Sequence, residues 1–382
     1  MGYDISVFIP VYRGSALLGD NLNKLIHMPG RKEIFVIIDE PSDESRDIAE
    51  RFGSEVKFII NKKRGGKVNA LNNAVPVSSG RVLVFLDADI SLPQDPAFLL
   101  KVLREMEDAD ILDLRKEVVR GTFLSNMTYY EYSAANFVSW LFSRFSHRTP
   151  VINGAGFAIR RDVFLSLGMF RNVVSEDLDL ATRAYIAGYR FKYSESVTVY
   201  NHVYSTWKDW VKQRKRWSVG TALWIREWYK TLSSYIVRHP MSTIPSAIFL
   251  LPLLLIPLLA FIHPEQLVSR TLLFARIYLT ALIPPVLGEY TTHLALLHTN
   301  MYDTHYSKVM WNMGMFFLCG YLLTSFMFYI FSIRLGFHYN IAEFFIYYLF
   351  YSIISLAMMV QGFVRVFILN DKSVTDWVVD SE

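Results

Sequence analysis

Charge is distributed unevenly along this chain, and this limits its possible folds more than any other feature. Three long stretches contain no Lys, Arg, Asp or Glu: 243–262, 309–333 and 344–364. Each is long enough to cross a bilayer as a helix. A fourth apolar stretch, at 271–290, is interrupted by Arg276 and Glu289, which leaves its limits open. The sequence therefore predicts an α-helical membrane domain of about four helices.

The predicted membrane domain covers residues 241–370, and most of the charged residues precede it. Overall the chain is 52% hydrophobic and 19% charged, which fits a soluble domain joined to a membrane domain better than one uniform core. A net charge of +4 without a long basic tract does not favour nucleic-acid binding. Basic residues cluster before the first span, where they suit anionic lipid headgroups and the positive-inside rule.

The N-terminal residues MGYDISVFIPVY resemble a buried strand and not a signal peptide, because no basic segment precedes a long apolar core. We therefore expect an integral membrane protein with its N-terminal domain and its tail, 371–382, in the cytosol. A prokaryotic plasma membrane is the expected location. The single cysteine, Cys319, lies in an apolar stretch, so we expect no disulfide.

Short apolar runs alternate with helical patterns in the first hundred residues. The runs lie at 5–11, 33–40, 56–60 and 80–90, and the alternation predicts a mostly parallel α/β sheet. A long aromatic-rich helical pattern is expected at 116–147. Ligands of such sheets bind beyond the carboxyl ends of the strands. Three carboxylates fall at such ends: Asp39, Asp87 and Asp89.

The D-x-D pair at Asp87 and Asp89 is the first candidate binding site. Residues two apart on an extended strand point to the same side, so both carboxylates can address one ligand. Mg²⁺ typically takes a few carboxylate oxygens together with substrate phosphates. The same pattern recurs at 108–110 and 177–179, so the strand-end context, rather than the pattern, singles out Asp87 and Asp89.

Two further segments offer chemistry and also have simpler explanations. Lys67 follows two glycines at a helix start, which either places a cation beside a phosphate or forms a basic surface turn. Glu176 and Asp177 precede another helix, where carboxylates cap helix N-termini. The alternative is a general base that deprotonates an acceptor hydroxyl.

Two later segments are candidates for contacting a sugar. Small residues form a turn where a sugar could approach the backbone: Gly154, Ala155 and Gly156. The range 204–240 mixes Trp and Tyr with Lys and Arg, which predicts amphipathic helices in the headgroup plane. It contains a Q-x-x-R-W motif, Gln213, Arg216 and Trp217, that combines a diphosphate-compatible guanidinium with an aromatic platform for a sugar ring.

These segments, in this order, resemble the family-2 inverting glycosyltransferases of GT-A fold. The resemblance covers about residues 4–230 and is strongest to the membrane branch of cellulose, hyaluronan and ceramide-glucosyl synthases. It implies a Rossmann-like catalytic domain at 1–203, a nucleotide-sugar donor (UDP by family habit) and a divalent metal, Mg²⁺ or Mn²⁺. One departure is DEPS at 39–42, where the family often has DDGS.

The resemblance also implies a role for each residue. Asp177 would be the catalytic base, with Glu176 beside it, and Asp89 would ligate the metal, with Asp87 orienting the nucleotide. The donor would be bound by Pro10, Tyr12, Asp39, Lys67, Asp87, Gln213, Arg216 and Trp217. The acceptor would meet Trp217 and the turn 154–156. His202 is a further candidate metal ligand, for which a purely structural role is the simpler interpretation.

Four functions stay open at this point. The first is transfer to the hydroxyl of a lipid or lipid-linked acceptor. The second is a polyprenyl-phosphate sugar synthase, which shares the layout of a catalytic domain before four helices but generally lacks Q-x-x-R-W. The third is a processive polysaccharide synthase, which needs a channel for its polymer. The fourth is a transporter or scaffold with an α/β regulatory domain. The donor sugar and the oligomeric state are not indicated.

Overall fold

The computed structural model describes residues 3–250, 305–371 and 373. They fall into two compact units, Met1–Ser246 with Leu349–Glu382, and Ala247–Tyr348. The described strands form one sheet in the first unit: β1 (Ile5–Tyr12), β2 (Lys32–Asp39), β3 (Lys57–Asn61), β4 (Val82–Leu86), β5 (Ile90–Ser91), β6 (Ile111–Val118), β7 (Gly156–Arg160) and β8 (Phe191–Asn201).

The helices connect these strands and cover the sheet. Up to β8 they are α1 (Leu18–His27), α2 (Asp43–Phe52), α3 (Lys67–Ala74), α4 (Phe98–Glu105), α5 (Phe123–Leu141), α6 (Arg161–Ser166) and α7 (Glu176–Ala187). The later described helices are α8 (Trp207–Arg238), α9 (Pro240–Leu250), α10 (His305–Leu335) and α11 (Ile341–Ile368). The last of these includes π-helical turns at Tyr347–Tyr351 and Val364–Ile368.

The strand order is β3-β2-β1-β4-β7-β6-β8-β5. The first four strands are parallel, as the sequence predicts, whereas β7 runs antiparallel to both of its neighbours. Strands β6 to β8 are not predicted, and the run expected as one strand at 80–90 is divided by a turn into β4 and β5. The helical pattern expected from residue 116 is wrong for its first residues. There β6 continues to Val118, and the helix begins only at Phe123, after a capping box formed by Thr122 and Ser125.

A ladder of phenylalanines crosses the centre of the sheet and aligns the strand ends. Phe35, Phe8, Phe85 and Phe157 lie on the adjacent strands β2, β1, β4 and β7, with successive ring centroids 5.2, 5.3 and 5.1 Å apart. Cross-strand aromatic pairs of this kind stabilise one register. Because register is fixed here, the residues that follow β2 and β4 emerge at the same edge of the sheet.

Among the described residues, α11 is the one helix long and apolar enough to cross a membrane, and Gly320–Leu335 within α10 is a shorter apolar helix. The predicted spans at 309–333 and 344–364 coincide with α10 and α11. The predicted span at 271–290 lies outside the described residues, as does 251–262 of the first span. The membrane domain of about four helices therefore stays a prediction.

The segment predicted to be amphipathic forms the single helix α8, capped by the Thr206 side chain, which accepts from the backbone N–H of Asp209. One face of α8 is covered by the C-terminal part of α11. A Cβ placed on Gly362 would lie 2.5 Å from the carbonyl carbon of Ser218, so the two helices approach at backbone distance. The predicted orientation of α8 in a headgroup plane stays a prediction.

Candidate active site

Asp39, at the end of β2, shapes the turn that leads to Lys67. Its carboxylate accepts hydrogen bonds from the backbone N–H groups of Gly65 (3.0 Å) and Gly66 (2.9 Å), and from the Asn61 side chain (2.9 Å). Gly66 has a φ of +83°, a conformation that glycine adopts without steric cost. Asp39 thus lies where the sequence places it and orients the start of α3. Its predicted contact with a nucleotide base stays a prediction.

Lys67 joins three of the predicted segments at one point. Its Nζ lies 2.7 Å from Asp87 Oδ1, after β4, and 3.2 Å from Glu176 Oε1, at the start of α7. Burial by itself would lower the pKa of Lys67, but the negative charges of Asp87 and Glu176 outweigh it and raise the pKa. The ammonium group therefore remains charged, and its predicted contact with a diphosphate stays a prediction.

Asp177 is held by two backbone N–H groups. Gly154 donates to its Oδ2 and Leu178 to its Oδ1, each at 2.8 Å. Burial, and then the negative charge of Glu176, raise the pKa of Asp177 to about 6. The carboxylate is therefore fixed in orientation and can take up a proton near neutral pH. Its predicted role as the catalytic base stays a prediction.

Asp89 lies at the solvent-accessible edge of the sheet beside Asp87. The backbone N–H of Asp87 donates to Ala155 O, and that of His202 donates to Asp89 O, each at 2.9 Å, which ties the ends of β4, β7 and β8 together. The surrounding protein atoms, and then the charge of Asp87, raise the pKa of Asp89 to about 7. Crowded carboxylates of this kind are relieved by a cation.

His202 is close to Asp89 through the backbone, while its side chain contacts Ser91, with 2.9 Å between Nε2 and Oγ. Within the part of the chain that the structure describes, no group of three or more His, Cys, Asp or Glu side chains is arranged to hold a metal. A divalent cation at Asp89 would therefore need oxygen ligands from a bound phosphate as well, which is usual for Mg²⁺. The role of His202 stays a prediction.

The Q-x-x-R-W motif lies on α8, which packs directly against the loop before Glu176. A Cβ on Gly220 would lie 2.4 Å from Ser175 Oγ, and Trp224 Nε1 donates to Thr182 on α7 at 2.8 Å. The charge of Arg216 acts on Asp89, whose pKa it lowers. Gln213 and Trp217 are half-buried and Arg216 is exposed. The structure thus brings this motif beside the carboxylates.

Tyr12 and Pro10 lie on β1, at the same edge as Asp39. Tyr12 is directly opposite Asp39 in the register of β1 and β2, and its ring is 44% exposed. The Arg64 guanidinium carbon lies 4.4 Å from the ring centroid, while the hydroxyl donates to Glu40 at 3.1 Å. Pro10 is half-buried. An accessible aromatic surface therefore borders the carboxylate edge, as a pocket for a base requires.

The turn predicted to contact an acceptor is buried, and packing explains its small residues. A Cβ on Gly154 would lie 2.8 Å from Asp177 Oδ2, and one on Gly156 would lie 3.2 Å from Val199 Cγ2. Ala155 is also buried. The contribution of these residues to acceptor binding stays a prediction, whereas their contribution to holding Asp177 follows from the geometry.

One cluster of polar and aromatic side chains at the Q-x-x-R-W motif is not predicted from the sequence. Arg214, buried on α8, forms a bidentate ion pair with Glu131 of α5, at 2.7 and 2.6 Å, and its guanidinium carbon lies 4.4 Å from the Trp217 ring centroid. The sequence does contain a sign of this cluster, because Glu131 is the single carboxylate in the aromatic-rich segment 122–145. Buried carboxylates need a partner.

From the predicted role of Asp177 as the base, Gly154→Ala is expected to lower the transfer rate about 10²-fold, because displacing a reacting group by about 1 Å has effects of that size. The new methyl group overlaps Asp177 Oδ2 and Cβ. Steady-state kinetics on the purified protein measure the effect. Gly19→Ala is the matched control, because nothing lies within 4 Å of its added Cβ. Equal rates for the two variants would contradict the placement of Asp177 by Gly154.

A mixed sheet whose carboxyl edge gathers paired carboxylates, a charged lysine and a fixed aspartate suits an enzyme that acts on a phosphate-bearing substrate. The family model described as "Glycosyltransferase like family 2" matches residues 3–220, more than half of the chain. The chain therefore belongs to this family and is a glycosyltransferase, as the sequence predicts.

Three similar proteins agree with this assignment. The "Probable glycosyltransferase YdaM" of Bacillus subtilis is 28% identical over 234 residues, 56% of this chain and 54% of YdaM. The poly-beta-1,6-N-acetyl-D-glucosamine synthase of Staphylococcus aureus is 21% identical over 237 residues, 60% of this chain and 58% of the synthase. The matches thus span little more than half the length of these curated relatives.

The third is a solved structure, the mannosyltransferase PcManGT of Pyrobaculum calidifontis in complex with GDP-Man and Mn²⁺. It superposes with a TM-score of 0.50 at 17% sequence identity, covering 85% of this chain and 87% of that one. At this identity the similarity establishes the fold. The predicted GT-A architecture of the catalytic part is thereby confirmed.

Proposed function

We propose that this glycosyltransferase moves a sugar, with inversion, from a nucleotide-sugar to a hydroxyl of a lipid or lipid-linked acceptor at the cytosolic face of a membrane. The observation that carries the proposal is the joint placement of Asp177 and Lys67. A fixed carboxylate with a pKa of about 6 adjoins a cation that bridges Asp87 and Glu176. A base is needed to activate a hydroxyl, and a cation is needed beside a departing diphosphate.

In the proposed reaction Asp177 takes the proton of the acceptor hydroxyl as its oxygen attacks the anomeric carbon from the side opposite the diphosphate. The bond from that carbon to the diphosphate oxygen breaks, and negative charge accumulates on the departing nucleotide. Lys67 and Arg216 face that charge from α3 and α8. Preorganised cations of this kind stabilise a transition state without reorganising during the reaction.

A divalent cation, Mg²⁺ or Mn²⁺, is the proposed cofactor. Asp89 would hold it, with Asp87 beside it, and it would supply charge neutralisation on the diphosphate when bound. The residues suit such a group, because desolvation, and after it the negative charge of Asp87, raise the pKa of Asp89 to about 7, and a bound cation would offset both effects. The Mn²⁺ and GDP-Man in the PcManGT complex support a metal-bound nucleotide donor.

A processive polysaccharide synthase is the second candidate, because one relative is named as the synthase of a polymer, poly-beta-1,6-N-acetyl-D-glucosamine. A polyprenyl-phosphate sugar synthase is less well supported. A phosphate acceptor carries no hydroxyl proton that needs a strong base, so that reaction would give Asp177 no function. The apolar helix α11 supports a reaction at the membrane both for transfer to a lipid or lipid-linked hydroxyl and for polysaccharide synthesis.

The product distinguishes these acceptors. Membranes containing the protein are incubated with a panel of labelled nucleotide-sugars, and the products are extracted and sized. A base-stable glycolipid is the expected result. A long polymer would favour the polysaccharide synthase, and an acid-labile lipid would favour the polyprenyl-phosphate reaction. Release of nucleotide without a sugar product would contradict all three acceptors, and membranes carrying an Asp177→Asn variant serve as the control.

The pH dependence of transfer is expected to show an acid limb near pH 6. The base must be deprotonated, so below the pKa of Asp177 the rate should fall about tenfold per pH unit. Glu176→Gln removes the like charge that raises this pKa, so it should move the limb to lower pH. The measurement is kcat/KM against pH at saturating Mn²⁺. A limb at the same pH in both proteins would contradict Asp177 as the titrating group.

A further inference from the structure

The Tyr351 hydroxyl, on α11, has four polar partners and is buried in the first unit. It donates to Glu131 Oε2 at 2.6 Å and accepts from Trp210 Nε1 at 3.0 Å and Arg214 Nη2 at 3.1 Å. Thr128 Oγ1 lies 3.2 Å away. The residue is 1% exposed. A tyrosine from an apolar helix thus completes a partly buried ion-pair network in the catalytic part of the chain.

This network reaches the Q-x-x-R-W motif through Arg214. Both oxygens of Glu131 bind the Arg214 guanidinium, and Tyr351 bonds to both members of the pair, so the plane of the guanidinium is fixed. The guanidinium carbon lies 4.4 Å from the Trp217 ring centroid and 5.2 Å from that of Trp210. Arginine stacks on aromatic faces, and a fixed guanidinium therefore fixes the ring it covers.

The local backbone is consistent with a specific task for Tyr351. The residue ends a π-helical turn, Tyr347–Tyr351, and such turns are rare and occur often at functional sites. Further along α11, Gly362 packs against Ser218, and Val366 packs with Val219 and Ala222. The apolar helix is therefore anchored along α8 on both sides of the Q-x-x-R-W motif.

We propose that Tyr351 is a positioning residue that sets the orientation of the Trp217 ring through Arg214, so that the C-terminal helix contributes to the acceptor end of the site. This inference rests on the proposed place of Trp217 at that end. The Tyr351 hydroxyl contacts Glu131, Arg214, Trp210 and Thr128. Its effect on transfer passes through the guanidinium that it shares with Glu131.

The first test is a double-mutant cycle between Tyr351→Phe and Trp217→Ala. In the otherwise unchanged protein, Tyr351→Phe should lower kcat/KM for the acceptor about tenfold, the factor that corresponds to about 1.4 kcal/mol, and leave the donor KM unchanged. In the Trp217→Ala background it should have no further effect on kcat/KM, because the ring it positions is absent. The same loss in both backgrounds would overturn the proposal.

Tyr235→Phe is the matched control, because it also removes a buried tyrosine hydroxyl from a hydrogen-bond network on α8. That hydroxyl donates to Arg148 O at 3.0 Å and lies 3.1 Å from Ser146 Oγ. The control should lower Tm to a similar degree and leave acceptor kinetics unchanged. If Tyr235→Phe reduced kcat/KM as much as Tyr351→Phe, general destabilisation would explain the effect and the positioning role would be rejected.

A spectroscopic measurement separates this inference from the proposed reaction. The near-ultraviolet circular dichroism of Trp217, taken as the unchanged protein minus Trp217→Ala, needs no substrate. It should change in the Tyr351→Phe background and be preserved with Tyr235→Phe. An unaltered Trp217 spectrum in Tyr351→Phe would overturn the positioning role even if transfer were observed. Absence of transfer by the unchanged protein would instead overturn the proposed reaction.

Discussion

Asp177→Asn is expected to abolish transfer while nucleotide affinity stays near that of the unchanged protein. The substitution keeps the size of the side chain but removes its ability to take a proton, a change that lowers rates by about 10²- to 10⁴-fold. One of the two N–H groups that bond to Asp177, from Gly154 and Leu178, loses its acceptor, so a small stability loss of about 1 kcal/mol should accompany it. Single-turnover transfer and nucleotide calorimetry measure the two effects separately.

Asp179→Asn is a useful comparison for this variant, because it lies on the same helix two residues away and in the same D-x-D sequence. Asp179 is buried in ion pairs with Arg171 and Arg183. Its substitution should lower the free energy of unfolding and leave the pH dependence of the remaining activity unchanged. The assignment of Asp177 as the base fails if nucleotide affinity falls in step with transfer, since a base does not bind the nucleotide.

Asp89→Ala is expected to remove the metal dependence of nucleotide binding. In the unchanged protein, Mn²⁺ should raise affinity for the nucleotide. In the variant, affinity with Mn²⁺ should equal affinity without it. Without metal the variant should bind at least as well as the unchanged protein, because a carboxylate that repels the diphosphate has been removed. Calorimetric titration with and without Mn²⁺ gives all four values.

Asp108→Ala provides the control for this experiment. Asp108 belongs to another D-x-D sequence but lies exposed in a 3₁₀ turn after α4. Its removal should leave both the affinity and its dependence on Mn²⁺ as they were. Retention of the full Mn²⁺ effect in Asp89→Ala would place the metal elsewhere and contradict the proposed ligand.

The parts of the fold that could be predicted are those with a clear local pattern of apolar and turn residues. The four parallel strands are continuous apolar runs bounded by turn residues. The sequence therefore indicates where each strand ends, and with that it places Asp39, Asp87 and Asp89 at the carboxyl edge of the sheet. The apolar residues of β6 and β8 are interrupted by charged and polar ones, so neither strand is a continuous apolar run, and β7 is only five residues long. Their pairing depends on partners that lie between 44 residues (Asp113 with Phe157) and 111 residues (Ile90 with Asn201) away in the chain, which periodicity does not encode.

The candidate site shows the same division. In the sequence, Lys67, Glu176 and Asp177 are each ambiguous between a structural and a chemical role; the ion pairs of Lys67 with Asp87 and Glu176 support the chemical role proposed above. The Arg214 network is not predicted, because its members lie on α5, α8 and α11, up to 223 residues apart. Only tertiary packing makes a lone Glu131 and a tyrosine in an apolar helix into partners.

The packing of α11 along α8 has a practical consequence for anyone who wishes to isolate the catalytic part of the enzyme. A chain cut after Ser246 would lose Tyr351, Gly362 and Val366, and would leave the aromatic and guanidinium groups of α8 facing water. An isolated catalytic part should therefore keep the segment 349–373, rejoined by a flexible linker, and should be handled in detergent, because α11 is apolar enough to cross a membrane. The compact unit that carries the candidate site is therefore discontinuous in sequence, because it combines Met1–Ser246 with Leu349–Glu382.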